Sequence, residues 1–327
     1  MRKRVSIILS LVLAFALFVP FVTLQSNSAE ASGIYKAKEE NGSIIYTEEV
    51  NVPSSGVAMA ANTSTKNSVI EKARSTYNQS QKDHFLYTEI PTGETPNYIT
   101  SSPRVATTSA GSKISLEHKL TFDEPNKQII ISTKIQSMVG KKPVIVITGN
   151  TLYGSNKYRD GYTKYKGYTV EWTGSDIKIG KTKKVTYKVN STKFWTSKGR
   201  TTVGFLGSTP KTTSSQLASP ILANKKAIMY PKIYNSHSKR YMSSPISTTM
   251  KKVPQEKRVA WGKTQRKNFI KEYEKKYGKP KFSWDGKTTE IHHTIPREYG
   301  GTNSFQNLFP LPYKTHRSVV SPWWTAY

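Results

Sequence analysis

Between residues 114 and 206 the chain is a succession of short β-branched and aromatic runs, at 114–122, 128–135, 144–148, 165–172, 177–179, 185–189 and 202–206. Clusters of Gly, Asn, Asp and Pro separate them. Apolar residues alternate strictly in Val185-Thr186-Tyr187-Lys188-Val189. Short strands at this spacing predict an antiparallel β-sandwich. The sequence holds no cysteine, so no disulfide framework supports it. Stability has to come from apolar cores, and the 327 residues are enough for more than one. The expected fold class is α+β and multidomain, with a β-rich, sandwich-like N-terminal region.

Around this centre the chain divides by composition. Residues 1–31 read as a secretory signal: Met1-Arg2-Lys3-Arg4 is basic, residues 5–24 are apolar, and Ala29-Glu30-Ala31 has the spacing of a cleavage site. The expected location is secreted, with no integral membrane domain after cleavage. The competing reading is an uncleaved anchor, since the apolar run is long enough to span a bilayer. Residues 32–100 read as a polar, partly disordered lead-in. Within it, 33–50 suit a hairpin turning on Asn41-Gly42, 57–65 read as linker, and Asn67 caps a short helix over 68–77. His84 reads as a surface residue and His118 as structural or exposed. Residues 101–207 are the β-rich domain. Residues 208–250 are Ser/Thr/Pro-rich, then basic and irregular, and read as a linker. Residues 251–327 form the last unit.

Charge adds a constraint on partners. The chain has 50 Lys and Arg against 21 Asp and Glu, a net +29. Such an excess suits a polyanion: nucleic acid, anionic lipid or an anionic cell wall. From Lys225 onward there are 21 basic and 6 acidic residues, so the excess is concentrated where a phosphate track would be needed. A helix is expected from Pro254 through Tyr277, stopped by Gly278 and Pro280. Phe269, Ile270, Tyr273 and Tyr277 make its apolar stripe. Arg266, Lys267 and Lys271 belong to its basic face, a candidate phosphate contact whose bland alternative is a solvated surface. Lys and Tyr interleave over 157–166 (KYRDGYTKYK), which suits either an anion- or glycan-binding face or an ordinary β surface.

The chemistry-bearing stretch is EIHHTIPREYGGTNSFQNLFPLPYKTH, residues 290–316, with three of the six histidines. Its pattern predicts a strand to His292-His293, a loop turning on Gly300-Gly301, a strand over 308–311, and a helix from Pro312 carrying His316. Adjacent strand residues point to opposite faces, so His292 and His293 are expected to do different jobs. One imidazole can meet His316 at a shared metal while the other deprotonates water.

This stretch resembles the HNH nuclease superfamily, the ββα-metal enzymes, and most closely its colicin-type, bacterial-toxin branch. The resemblance covers residues 255–327. It implies a small C-terminal ββα domain in which His292 and His316 are metal ligands and His293 is the general base. It implies that Asn307 ties down the loop and holds the base, and that Glu290 orients an imidazole. Arg297 and Arg317 join the helix residues as candidate nucleic-acid contacts. Colicin-type enzymes usually carry a further His one turn after the helix ligand; here that position is Val320. The implied cofactor is one divalent ion, Mg²⁺ or Zn²⁺, with Mn²⁺, Ni²⁺ or Co²⁺ as further candidates. The implied substrate is DNA, with RNA as an alternative, and a toxin role would imply an acidic immunity protein as partner. The rival expectation is a non-enzymatic basic cell-surface or polyanion-binding protein with a vestigial ββα unit. Export is the most directly tested of these expectations: N-terminal sequencing of the secreted protein should begin at Ser32, and a chain still carrying residues 5–24 would contradict it.

Overall fold

A computed structural model describes residues 32–35, 38–52, 62–81, 111–217 and 219–327. The signal read over 1–31, His84 and most of the linker read over 57–65 lie outside the described residues. The fold is mixed helix and sheet, with strands dominant. In chain order it runs β1 (Ser32–Tyr35), β2 (Lys38–Glu40), β3 (Ser43–Val52), α1 (Thr63–Ser80), β4 (Ser112–Asp123), β5 (Gln128–Val139), β6 (Ile145–Ser155), β7 (Thr163–Thr173), β8 (Thr182–Lys188), β9 (Lys193–Gly204), β10 (Lys211–Leu217) and β11 (Ile221–Ala223). Then come β12 (Tyr234–Asn235), β13 (Arg240–Tyr241), α2 (Lys263–Tyr277), β14 (Thr289–His293) and β15 (Leu308–Pro312). The chain ends in α3 (Tyr313–Thr315), a wider π-type turn (His316–Val320) and α4 (Ser321–Thr325).

Two sheets face each other. One runs β1-β10-β9-β6-β7, with β11 also on β9; the other runs β2-β3-β4-β5-β8. Ile44, Leu120 and Ile131 of the second sheet meet Leu152, Trp195 and Leu217 of the first. Further along the same strands Val50, Ile114 and Ile135 meet Val146, Trp172 and Val203. Between these two apolar clusters the alternation places Glu48 on β3 and His118 on β4, both 0% exposed. A buried carboxylate needs partners, because stranding one costs several kcal/mol. Glu48 has four: His118 Nε2 at 2.6 Å, Thr201 at 3.1 Å, Ser215 at 3.3 Å and Thr213. His118 is therefore structural rather than exposed.

That network explains why part of the 208–250 linker is a strand. Thr213, Ser215 and Leu217 alternate inward along β10. Two of these three inward positions carry hydroxyls because Glu48 faces them, and by composition such a run reads as linker. Four other boundaries also move. Residues 177–179 form no strand; Ile177 plugs the second cluster from a turn. β9 begins nine residues before the run at 202–206. α1 starts at Thr63, because Asn62 rather than Asn67 caps it, accepting from Thr65 N at 2.8 Å. The helix expected from Pro254 is broken: a single turn at Gln255–Lys257 precedes α2. The Asn41-Gly42 hairpin turn is present, with both residues at positive φ.

The C-terminal residues share their core with the sandwich. Phe194 of β9 and Leu222 of β11 pack with Phe309, Leu311, Val320, Trp323 and Trp324. Tyr230 and Met242, from the basic, irregular part of the segment read as a linker, complete the cluster. Trp323 Nε1 donates to Ile228 O at 2.9 Å, and Asn224 Nδ2 donates to Trp323 O at 3.1 Å. The Trp pair is thus a clasp that closes onto the sandwich as well as the hairpin. A division at 250/251 cuts through this core. A fragment of residues 251–327 should therefore give a poorly dispersed amide NMR spectrum, while the chain from Ser32 gives a dispersed one. A well-dispersed spectrum from the short fragment would contradict the shared core.

Candidate metal-binding and catalytic site

The β14–β15 hairpin sets the site. Its register pairs Glu290 with Leu311, Ile291 with Pro310, His292 with Phe309 and His293 with Leu308. Opposed residues share a face. Glu290, His292, Phe309 and Leu311 therefore look toward the C-terminal helical segment. Ile291, His293 and Leu308 look toward α2, where Phe269, Tyr273 and Phe305 pack against Ile291 and Leu308.

On the first face His292 Nδ1 lies 3.0 Å from His316 Nε2. His316 stands at the start of the π-type turn; such widened turns recur at functional sites. A carboxylate only accepts, so His316 Nδ1–H donates to Glu290 Oε2, at 2.5 Å. This leaves the lone pair of His316 on Nε2, facing His292. Arg317 holds the same carboxylate through Nε at 3.0 Å and Nη2 at 2.5 Å. Burial works to raise the Glu290 carboxyl, but Arg317 and His316 outweigh it and keep it ionised below the usual range. Burial first, and then the repulsion a protonated His292 would meet from His316 and His293 in their own protonated forms, pushes His292 down to about 3. His292 is therefore a neutral imidazole, and its Nε2 is buried without a hydrogen-bond partner.

On the second face His293 Nε2 meets Asn303 Oδ1 at 2.8 Å. Asn303 Nδ2 donates to Ala260 O at 2.8 Å, so its oxygen is the end that accepts. His293 thus carries its proton on Nε2, and Nδ1 keeps the lone pair. Burial lowers the His293 pKa, Asn303 opposes that, and Arg297 adds to it. Trp261 meets the ring edge-on, with centroids 4.7 Å apart.

The loop between the strands is held by Asn307. Its Oδ1 accepts from Ile295 N at 2.8 Å, and its Nδ2 donates to Ile295 O at 3.1 Å and to Thr302 O at 2.8 Å. The Gly-Gly pair serves this arrangement. Gly300 sits at φ +83, and a Cβ on Gly301 would overlap Ile295 O. Asn307 therefore pins the loop, as the resemblance implied, but the side chain that holds His293 is Asn303. Neither Asn303 nor Trp261 carries a spacing signal in the sequence; only the folded loop brings them to the ring.

The candidate phosphate contacts divide. Arg266 donates to Trp284 O, Arg297 to Val259 O at 3.0 Å, and Arg317 is paired with Glu290. Lys267 and Lys271 are exposed, on the side of α2 away from Phe269 and Tyr273.

Two imidazole nitrogens bound to one ion at about 2.0–2.1 Å each sit roughly 3 Å apart, so the His292–His316 pair fits a shared divalent ion. Glu290 is spent on the far side of His316, and Val320 is buried in the core. Among the described residues no group of three or more His, Cys, Asp or Glu side chains converges to hold a metal. The donor set is two histidines, which suits an exchangeable ion. The chain matches no protein-family model, no curated protein and no solved structure.

These shifts have a definite sign. A histidine whose folded pKa is depressed contributes stability that is present above its unfolded value, about 6.5, and is lost as pH falls through the window below it. In EDTA, ring NMR should show His292 and His293 titrating below 6.5, with His292 neutral past pH 5. A His292 midpoint near 6.5 would contradict its burial.

Proposed function

We propose that this chain is a secreted, metal-dependent endonuclease of the HNH type that hydrolyses phosphodiester bonds of DNA. The observation that carries the reading is the split of the two adjacent histidines. His292 meets His316 on one face of the hairpin, while His293 on the other keeps its Nδ1 lone pair. That is a pair of metal donors beside a separately oriented base, the minimal set for metal-assisted hydrolysis.

His292 and His316 would hold the divalent ion, which supplies Lewis-acid stabilisation of negative charge on the phosphoryl oxygens and the leaving oxygen. His293 Nδ1 takes the proton from water as that water attacks phosphorus. Asn303 keeps the ring in the required tautomer, and Glu290 does the same for His316. The P–O3′ bond breaks and the leaving oxygen takes a proton from solvent water, leaving 5′-phosphate and 3′-hydroxyl ends. The exposed Lys267 and Lys271 and the basic excess after Lys225 support a polyanionic substrate. Mg²⁺ and Zn²⁺ are the leading candidates for the ion; imidazole donors favour Zn²⁺, Mn²⁺, Ni²⁺ or Co²⁺ over Mg²⁺.

A second reading is favoured by one observation, the two-residue donor set. It makes the hairpin vestigial and the chain a basic polyanion-binding protein. Incubation of the mature protein with supercoiled plasmid separates the two. The nuclease nicks the plasmid with added divalent metal and stops in EDTA. His293→Ala should slow nicking by roughly 10²–10⁴-fold, the usual share of general-base catalysis. No nicking with any of the five metals, or an unchanged rate in His293→Ala, would overturn the proposal.

A further inference from the structure

The helical segment that carries His316 also carries an aromatic ring with no place in a core. Tyr313 follows β15 directly. Its N–H donates to Thr288 O at 2.8 Å, which extends the hairpin pairing one residue past the strand and fixes the backbone. Tyr313 is 43% exposed and belongs to none of the apolar clusters of the described residues. Arg317 is four residues on, and so on the same helical face. Its guanidinium carbon lies over the Tyr313 ring, 5.4 Å from the centroid.

Two observations point to a nucleotide. The first is the guanidinium. Its Nε and Nη2 fork onto Glu290, the carboxylate that also orients His316. The fork uses two of its five N–H donors. The Arg317 side chain is 58% exposed, so the remaining donors are presented to solvent. An anion that takes them sits one carboxylate away from a proposed metal ligand. The second is the ring. Glu290 already grips Arg317 from two atoms, so Tyr313 is not needed to position it. With one face under the guanidinium, the exposure of Tyr313 falls on its other face, where a planar group can stack. The nearby acids do not oppose a phosphate here. Glu290 is offset by Arg317, and Asp285 turns its carboxylate into its own loop, accepting from Lys287 N at 2.7 Å and Thr288 N at 2.6 Å. Lys314, next to Tyr313, is exposed.

We propose that Tyr313 and Arg317 form a subsite for one unpaired nucleotide flanking the scissile phosphate. The inference rests on the nuclease reading of the hairpin and names its preferred substrate, single-stranded DNA. The base stacks on the open face of Tyr313, and its phosphate accepts charge-assisted hydrogen bonds from the outward donors of Arg317. Aromatic rings and guanidinium planes are the surfaces on which splayed-out bases rest. Every base has such a face, so the subsite reads no sequence. A paired base keeps both faces inside the duplex stack, so the ring discriminates against intact duplex. Glu290 ties the subsite to the chemistry. One carboxylate fixes both the imidazole that would hold the ion and the guanidinium that would hold the strand, which sets the strand relative to the metal.

Fluorescence anisotropy of the mature chain in EDTA, with a short labelled single-stranded DNA oligonucleotide, tests this. Tyr313→Ala should weaken binding by roughly 5–100-fold, the alanine cost of one base stack, at an unchanged melting temperature. Tyr313→Phe, which keeps the ring, should restore it. With an oligonucleotide of the same length made wholly of abasic units, Tyr313→Ala should cost nothing further. The fully paired duplex should lose less than the single strand. Unchanged affinity in Tyr313→Ala, an equal loss on the abasic or duplex probe, or no recovery in Tyr313→Phe would each overturn the proposal. Binding in EDTA requires no cleavage, so the nuclease reading fails separately, by absence of nicking. A chain that nicks plasmid yet binds the strand equally with and without the Tyr313 ring keeps that reading and loses this one.

Discussion

The register of one short hairpin decides which side chains meet at the candidate site. His292 opposes Phe309 and His293 opposes Leu308. A slip of one residue would exchange the two faces, taking His292 away from His316 and turning Phe309 and Leu311 out of their core. The register is fixed from both sides. Leu308 and Ile291 are gripped by α2, while Phe309 and Leu311 are gripped by the C-terminal Trp pair and the sandwich. Asn307 extends the pairing past the strand end by accepting from Ile295 N and donating to its carbonyl. Packing energy is thereby converted into the position of two imidazoles.

The sandwich uses a related device. Its interior is two apolar clusters separated by Glu48, His118 and a ring of hydroxyls. Every strand that contributes a hydroxyl must be in register with Glu48 to satisfy it. Apolar packing alone would tolerate sliding, whereas an unpaired buried carboxylate would not. Because the C-terminal hairpin packs on Phe194 and Leu222 of this sandwich, the precision of the β-rich region carries through to the site. The β-rich region is thus a foundation for the hairpin.

Much of this was legible in the sequence, for reasons that can be named. Five β-branched runs from 114 to 189 are strands because their alternation survives burial on one face. The His-His pair, Gly-Gly, Asn307 and His316 were legible because each does a local job at fixed spacing. What was hidden depended on distant partners. β10 looked like a linker since its inward residues are Thr213 and Ser215, whose partner Glu48 is more than 160 residues away. Asn303 and Trp261 reach His293 only through the folded loop. The shared core around Trp323 gave no sign of its other half, because Phe194 and Leu222 lie in strands that satisfy an ordinary β pattern.

The central claim is that His292 and His316 hold a metal while His293 does not. Calorimetric titration of Zn²⁺ or Mn²⁺ into the His293→Ala and His316→Ala chains measures this most directly. The account predicts that His293→Ala binds the ion as the parent does and that His316→Ala loses at least about tenfold in affinity, as removal of a ligand or its orienting partner does. Loss of binding in His293→Ala with binding retained in His316→Ala would contradict it.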